Sequence, residues 1–150
     1  MSTKFGHVNI IAQDWKKLAS FYKKVFSCFE VPPIRQLSGE WLSKGTNVTD
    51  ASLEGIHLRL PGWENEGPTL EIYSYKVMEE KLSSAANRKG FGHIAFQVDD
   101  VGKKVKEVLS NNGSMLGDIV IKAIDGVGEL TFVYCTDPED NIIELQSWKK

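Results

Sequence analysis

Phe5-Gly6-His7-Val8-Asn9-Ile10-Ile11 opens the first regular segment, and over residues 5–12 apolar and polar positions alternate as in a half-buried strand. Asp14 follows as an N-cap for a helix from Trp15 to about Ser27, whose Leu18, Phe21, Tyr22 and Val25 fall at helical spacing. Pro32-Pro33 excludes a helix directly afterwards, so Phe29–Leu37 reads as an edge strand. Strands near Leu53–Leu60 and Thr69–Tyr75 come next, and the polar, lysine-rich stretch Lys76–Lys89 is a linker with room for one helical turn. The plan then starts again. A strand over 91–98 leads to a helix from Asp100 to about Asn112, then to strands near 116–124, 129–136 and 141–148. Asn112-Gly113 is placed to end that helix in a left-handed cap, and Asp137-Pro138-Glu139-Asp140-Asn141 is a turn sequence.

The repetition is in the residues as well as the pattern. Phe5-Gly6-His7-Val8 returns as Phe91-Gly92-His93-Ile94, 86 positions on, and Asp14 maps by the same shift onto Asp100. Leu70-Glu71-Ile72 returns as Ile143-Glu144-Leu145 at a shift of 73, so the first half carries 13 more residues. Those extra residues are assigned to the Gly/Ser/Thr-rich stretch Ser38–Ala51 and the Pro61–Pro68 turn region. The expected fold class is therefore α+β. Two tandem βαβββ modules, about 5–75 and about 91–148, are joined by linker 76–90 in one domain over 1–150 and form a curved sheet around a metal site.

That metal site follows from which residues the repeat doubles. His7 and His93 open equivalent strands, and Glu71 and Glu144 stand early in equivalent last strands, so a pseudo-twofold arrangement turns all four toward one point. Two imidazoles and two carboxylates suit one divalent first-row ion (Zn, Ni, Co, Mn or Fe) and leave positions for substrate. A single His near a strand end is more often a rim residue than a ligand. A carboxylate inside Leu-Glu-Ile costs several kcal/mol to bury unpaired, although a solvent-facing position removes that cost. Packing symmetry accounts for repeated Phe and Gly; it gives no reason to repeat His and Glu. His57 has no counterpart in the second half; of two readings, a residue supporting the metal ligands or a strand residue facing water, the second is expected, while Glu54, Glu129 and Asp125 lack repeat support.

Composition narrows the remaining possibilities. With 41% hydrophobic and 25% charged residues the chain is a folded globular one. A net charge of −2 gives no electrostatic case for nucleic acid, and no apolar run reaches the ~18 residues that span a bilayer. The lysines at 16, 17, 23, 24 and at 103, 104, 106 read as solvated helix faces. Cys28 and Cys135 show neither metal-ligand nor disulfide spacing, and with no signal-peptide pattern at Met1-Ser2-Thr3-Lys4 a reduced, cytoplasmic setting is expected. Neither a nucleophile triad nor a phosphate loop is present.

Gly90-Phe91-Gly92-His93-Ile94-Ala95-Phe96, Val98-Asp99-Asp100-Val101, and Asp137-Pro138 through Asn141 to Glu144 resemble the vicinal oxygen chelate superfamily. That group includes glyoxalase I, methylmalonyl-CoA epimerase, fosfomycin-resistance enzymes, extradiol dioxygenases and bleomycin-resistance proteins. The resemblance runs from Phe5 to Trp148 and puts the family's metal positions on His7, Glu71, His93 and Glu144, a set like that of bacterial glyoxalase I. It implies a metal-dependent lyase or isomerase that removes a proton next to a carbonyl of a small chelated substrate, with Glu144 or Glu71 as base. Where glyoxalase I grips glutathione, this chain has Ile11, Tyr75 and Lys89, so only Lys89 keeps a positive charge and slow turnover of a glutathione adduct is expected. Tyr73, Tyr75, Trp148 and Lys89 are the expected substrate-binding residues. A weaker likeness of Ser38–Leu42, Leu58–Gly62 and Gly67–Ile72 to cyclitol epimerases keeps an epimerase of a methylmalonyl-CoA-like or cyclitol substrate as one alternative. A ligand-sequestering protein of the bleomycin-resistance type is another. The expected partners are a small-molecule substrate and a second copy of the chain in a homodimer, with no nucleic acid and no membrane.

Overall fold

The computed structural model describes residues 3–150, which form two compact units divided between Lys81 and Leu82. In unit 1, β1 (His7–Ile11) leads to α1 (Trp15–Phe26), β2 (Phe29–Ser38), α2 (Glu40–Thr46), β3 (Ser52–Arg59) and β4 (Thr69–Tyr75). The four strands lie in the order β1-β4-β3-β2, with β1 and β4 parallel and the other pairs antiparallel. The Asp14 carboxylate starts α1 by accepting the Lys16 and Lys17 N–H groups, each at 3.1 Å. Leu18, Phe21, Tyr22 and Val25 are buried, as are Ile56, Leu58, Leu70 and Ile72 on the two central strands that α1 packs against. Alternation then turns Glu71 and Tyr73 to the sheet's other face. The Pro32-Pro33 peptide is cis, and the register of β2 slips between Val31 and Arg35, which a prolyl strand tolerates because β2 pairs on one side only.

The stretch Ser38–Ala51, to which extra residues of the first half were assigned, contains the helix α2, which the sequence reading did not include. Gly39 at its start has φ 111° and supplies no side-chain cap, so no starting signal stands in the sequence. Packing holds it instead, through Leu42 buried with Ala51 and Leu53 and with Leu37, Val48, Tyr73 and Tyr75 around them.

Unit 2 consists of β5 (Ile94–Gln97), α3 (Val101–Ser110), β6 (Ser114–Met115), β7 (Val120–Ile124), β8 (Gly128–Thr136) and β9 (Ile142–Lys149). Its order is β5-β9-β8-β6, with β5 and β9 parallel and β7 paired to β8 beyond β6. Of the strand expected near 116–124, only Val120–Ile124 is strand, and β6 precedes it at Ser114–Met115. The N–H groups of Leu116 and Gly117 both reach the Tyr134 carbonyl, at 2.9 and 3.1 Å, which stops the ladder from running straight through. The left-handed residue after α3 is Asn112 (φ 68°). Gly113 serves close approach instead, since a Cβ there would stand 2.5 Å from Val108 Cγ1 and 2.6 Å from the Thr136 carbonyl oxygen. Before β9, the buried Asp137 carboxylate accepts the backbone N–H groups of Glu139 and Asn141 at 2.9 and 3.0 Å, which fixes the turn. Among the described residues no helix is long and apolar enough to cross a membrane.

Candidate functional site

Each unit brings its own His and Glu together by the same register. In unit 1, Asn9, two residues past His7, pairs with Glu71; in unit 2, Ala95, two residues past His93, pairs with Glu144. Same-parity positions on neighbouring strands share a face, so each histidine and its glutamate point to one side of their sheet. The contacts follow: His7 Nδ1 lies 3.3 Å from Glu71 Oε1, and His93 Nε2 lies 2.8 Å from Glu144 Oε2. His93 does this from just ahead of β5, which starts at Ile94, later than the strand expected over 91–98. Glu71 is the better buried carboxylate, with its side chain 10% exposed against 17% for Glu144, while His7 stands half open at 52%.

His57 corrects the expectation that it faces water. It pairs directly across from Glu71, with Nε2 3.1 Å from Glu71 Oε1 and 2.6 Å from Tyr73 Oη. Burial holds His57 below the ordinary imidazole range. The Glu71 carboxylate pulls the other way, and Arg35 and His7 add to the lowering. Burial likewise pushes the Tyr73 hydroxyl up to about 12, helped by the charge of Glu71 and a hydrogen bond with it. Tyr73 reaches His57 because Gly55 lies beneath it; a Cβ on Gly55 would stand 2.4 Å from Tyr73 Cδ1. The position matching His57 in unit 2 is Tyr134, which pairs with Glu144 and lies against the His93 ring at 4.8 Å between centroids. Tyr134 was missed and His57 set aside because only the hairpin registers bring them to the glutamates. The Pro61–Pro68 loop before Glu71 does not encode its register, whereas the short Asp137–Asn141 turn before Glu144 offered a usable signal.

The other expected site residues fall in different settings. Gln146 and Trp148 follow Glu144 at the same parity, and the Trp148 indole N–H donates to Gln146 Oε1 at 2.8 Å. Tyr75 follows Tyr73 and packs on the cluster around Leu42. Lys89 is exposed in the segment between β4 and β5, beside Arg88, whose N–H closes a turn on the Ala85 carbonyl at 3.0 Å.

Within each unit the His and Glu donors have the type and spacing that a first-row ion takes. Two donors ~2.1 Å from one ion and at right angles stand ~3 Å apart. The observed separations of 3.3 and 2.8 Å match that span. Among the described residues no group of three or more His, Cys, Asp or Glu is arranged to hold a metal, so neither pair is a complete site alone. His57 Nε2 approaches the same Glu71 oxygen that faces His7. The cysteines are no substitutes: both are free and buried, and burial pushes Cys28 up to about 12 and Cys135 to about 11.

Residues 4–145 match the model of the Glyoxalase/Bleomycin resistance protein/Dioxygenase superfamily. The chain belongs to that superfamily. Among solved structures it is similar to a glyoxalase family protein from Bacillus cereus, with 14% identity, TM-score 0.76, and coverage of 99% of this chain and 94% of that one. It also resembles the genomically encoded fosfomycin resistance protein FosX from Listeria monocytogenes, complexed with Mn(II) and sulfate, at 14% identity, TM-score 0.55, and 99% and 95% coverage. An integron cassette protein from the mobile metagenome of V. cholerae matches at 18% identity, TM-score 0.53, and 99% and 98% coverage. At such identities these structures share the fold with this chain. No curated protein matches it.

Proposed function

We propose that the protein is a metal-dependent lyase or isomerase of the glyoxalase I type, acting on a small oxygenated substrate with an acidic proton next to a carbonyl. One observation carries this reading: the His–Glu pair is built twice, by the same register offset, in two units that otherwise differ in strand breaks and loop lengths. In this reading His7, Glu71, His93 and Glu144 together hold one divalent ion (Zn, Ni, Co, Mn or Fe). The Mn(II) of the Listeria protein supports expecting a divalent ion on this fold. When bound, such an ion supplies Lewis-acid stabilisation of negative charge on substrate oxygens.

The chain's own residues do the rest. Glu71 or Glu144 takes the proton, the C–H electron pair passes into the carbonyl system, and the carboxylic acid returns the proton to the neighbouring carbon or to the opposite face. Tyr73, Tyr75 and Trp148 wall the substrate, and Lys89 meets an anionic group on it. An epimerase of a methylmalonyl-CoA-like or cyclitol substrate uses the same proton transfer and differs only in where the proton returns. A sequestering protein needs no repeated His–Glu pairs, and those pairs weigh against it. A homodimer belongs to this reading, supported by β7, a sheet-edge strand with Val120, Ile121 and Ile124 exposed.

The experiment is proton exchange in deuterated water, followed by NMR, with metal-loaded protein and a panel of the methylglyoxal–glutathione adduct, methylmalonyl-CoA and cyclitol ketones. Deuterium next to the carbonyl, lost in Glu144→Gln or Glu71→Gln, is the expected result. Tight binding of a panel member without exchange in any of them refutes the enzymatic reading in favour of sequestration.

A further inference from the structure

The two carboxylates that the repeat makes equivalent are held differently. Glu71 has His57 directly across from it, and Tyr73, two residues along β4, closes back onto His57 at 2.6 Å. At the same two positions around Glu144, unit 2 has Tyr134, lying on the His93 ring, and Gln146, whose Oε1 takes the Trp148 indole N–H. Glu71 is also the more buried of the two, and its other partner, His7, is half open. A carboxylate removed from water must have its lone pairs filled, and a half-exposed imidazole is an insecure donor for that. With the ring proton on Nε2, 3.1 Å from the carboxylate oxygen, His57 donates to Glu71; the other tautomer would turn a lone pair toward negative charge. Tyr73 Oη stands 2.6 Å from the same nitrogen and is itself hydrogen-bonded to Glu71.

We propose that His57 and Tyr73 are positioning residues that lock the Glu71 carboxylate in one orientation, independently of where His7 points. Gly55 is part of the device, because any side chain there would push the Tyr73 ring away from His57. The consequence for metal binding rests on the function proposed above; the contact itself does not.

Two measurements separate those claims. The first is a Co(II) titration against a chromogenic chelator, with the visible spectrum of the Co(II) form recorded, for wild type, His57→Leu, His57→Gln and Tyr73→Phe. His57→Leu should weaken Co(II) binding ~10–100-fold, Tyr73→Phe by less, and His57→Gln, which keeps an N–H donor, by no more than ~threefold with an unchanged spectrum. Wild-type affinity in His57→Leu overturns the proposal. So does a Gln variant that fails as badly as Leu with an altered spectrum, since His57 would then be a ligand. The second is a urea-unfolding double-mutant cycle of His57→Leu with Glu71→Leu in metal-free protein, where the unfolding constants should be non-additive by ~fivefold or more. Additivity overturns the proposal. Coupling in a wild type that takes up no Co(II) upholds it and removes the metal reading instead.

Discussion

Replacing Gly55 by alanine tests how tightly the face around Glu71 is built. The added Cβ would stand 2.1 Å from the Ile72 carbonyl oxygen, 2.4 Å from Tyr73 Cδ1 and 2.9 Å from Tyr73 Cα. Two of these are backbone atoms of the paired strand, so rotating one side chain cannot clear them, and β3 must lift off β4. Overpacking of this kind costs ~1–3 kcal/mol. Losing the hydrogen bond between Tyr73 and His57 adds ~0.5–1.5 kcal/mol. Against both stands the entropic advantage of alanine over glycine in the unfolded chain, ~0.4–1 kcal/mol. The balance is a loss of ~1–3 kcal/mol, which for a chain of this size lowers Tm by ~2–10 °C. Urea and thermal unfolding of metal-free protein, followed by circular dichroism, measures it. Tyr73→Ala added to Gly55→Ala should not restore stability, because the Ile72 contact survives it. A Gly55→Ala variant as stable as wild type, or one fully rescued by Tyr73→Ala, would refute the claim that strand-to-strand approach demands this glycine.

Purified protein should hold about one divalent ion per chain, and His93→Ala should lose most of it by elemental analysis; unchanged occupancy removes the site as proposed. Light scattering at micromolar concentration should report a homodimer, and a monomer contradicts it. With its thiol at about 12, Cys28 should resist iodoacetamide at pH 8 in native protein and react after denaturation, as should Cys135 at about 11; rapid native labelling would refute their burial. Asp14 is held below the ordinary carboxylate value by hydrogen bonds from Lys17 and Lys16, so its contribution to stability is full above the unfolded value and is lost as pH falls through the folded one. Asp14→Ala should therefore lose more stability at pH 7 than at pH 2, and an equal loss at both would show that the capping charge is not responsible.

What the sequence made legible divides by physical cause. Helices α1 and α3 announced themselves because Asp14 and Asp100 cap them and their apolar residues recur at helical spacing, both properties of neighbouring residues. The metal-binding candidates were visible for a different reason: the repeat is its own control, showing what each half retains beyond packing. Helix α2 was hidden because Gly39 gives it no cap and its seven residues are too few to hold a helix by propensity, so Leu42, Ala51 and Leu53 hold it through tertiary contact. The break between β6 and β7 was hidden likewise, since two N–H groups sharing the Tyr134 carbonyl is a property of pairing.

His57 shows why the repeat, the strongest signal in the chain, also misled. Treating the halves as copies makes a residue without a counterpart look incidental. The sheet registers show the opposite: His57 and Tyr134 occupy matching positions across from Glu71 and Glu144, and there the halves diverge. Repetition identifies what both halves must do, and its failure at a matched position marks where one half has taken on something further. Around Glu71 that difference is an imidazole and a phenol hydroxyl directed at a buried carboxylate, with a glycine cleared to admit them. Around Glu144 it is a ring laid on His93. Two carboxylates of one residue type, placed by one register, thus stand in different environments: the Glu71 carboxylate is met by His57 from the neighbouring strand, while the Glu144 carboxylate pairs with His93.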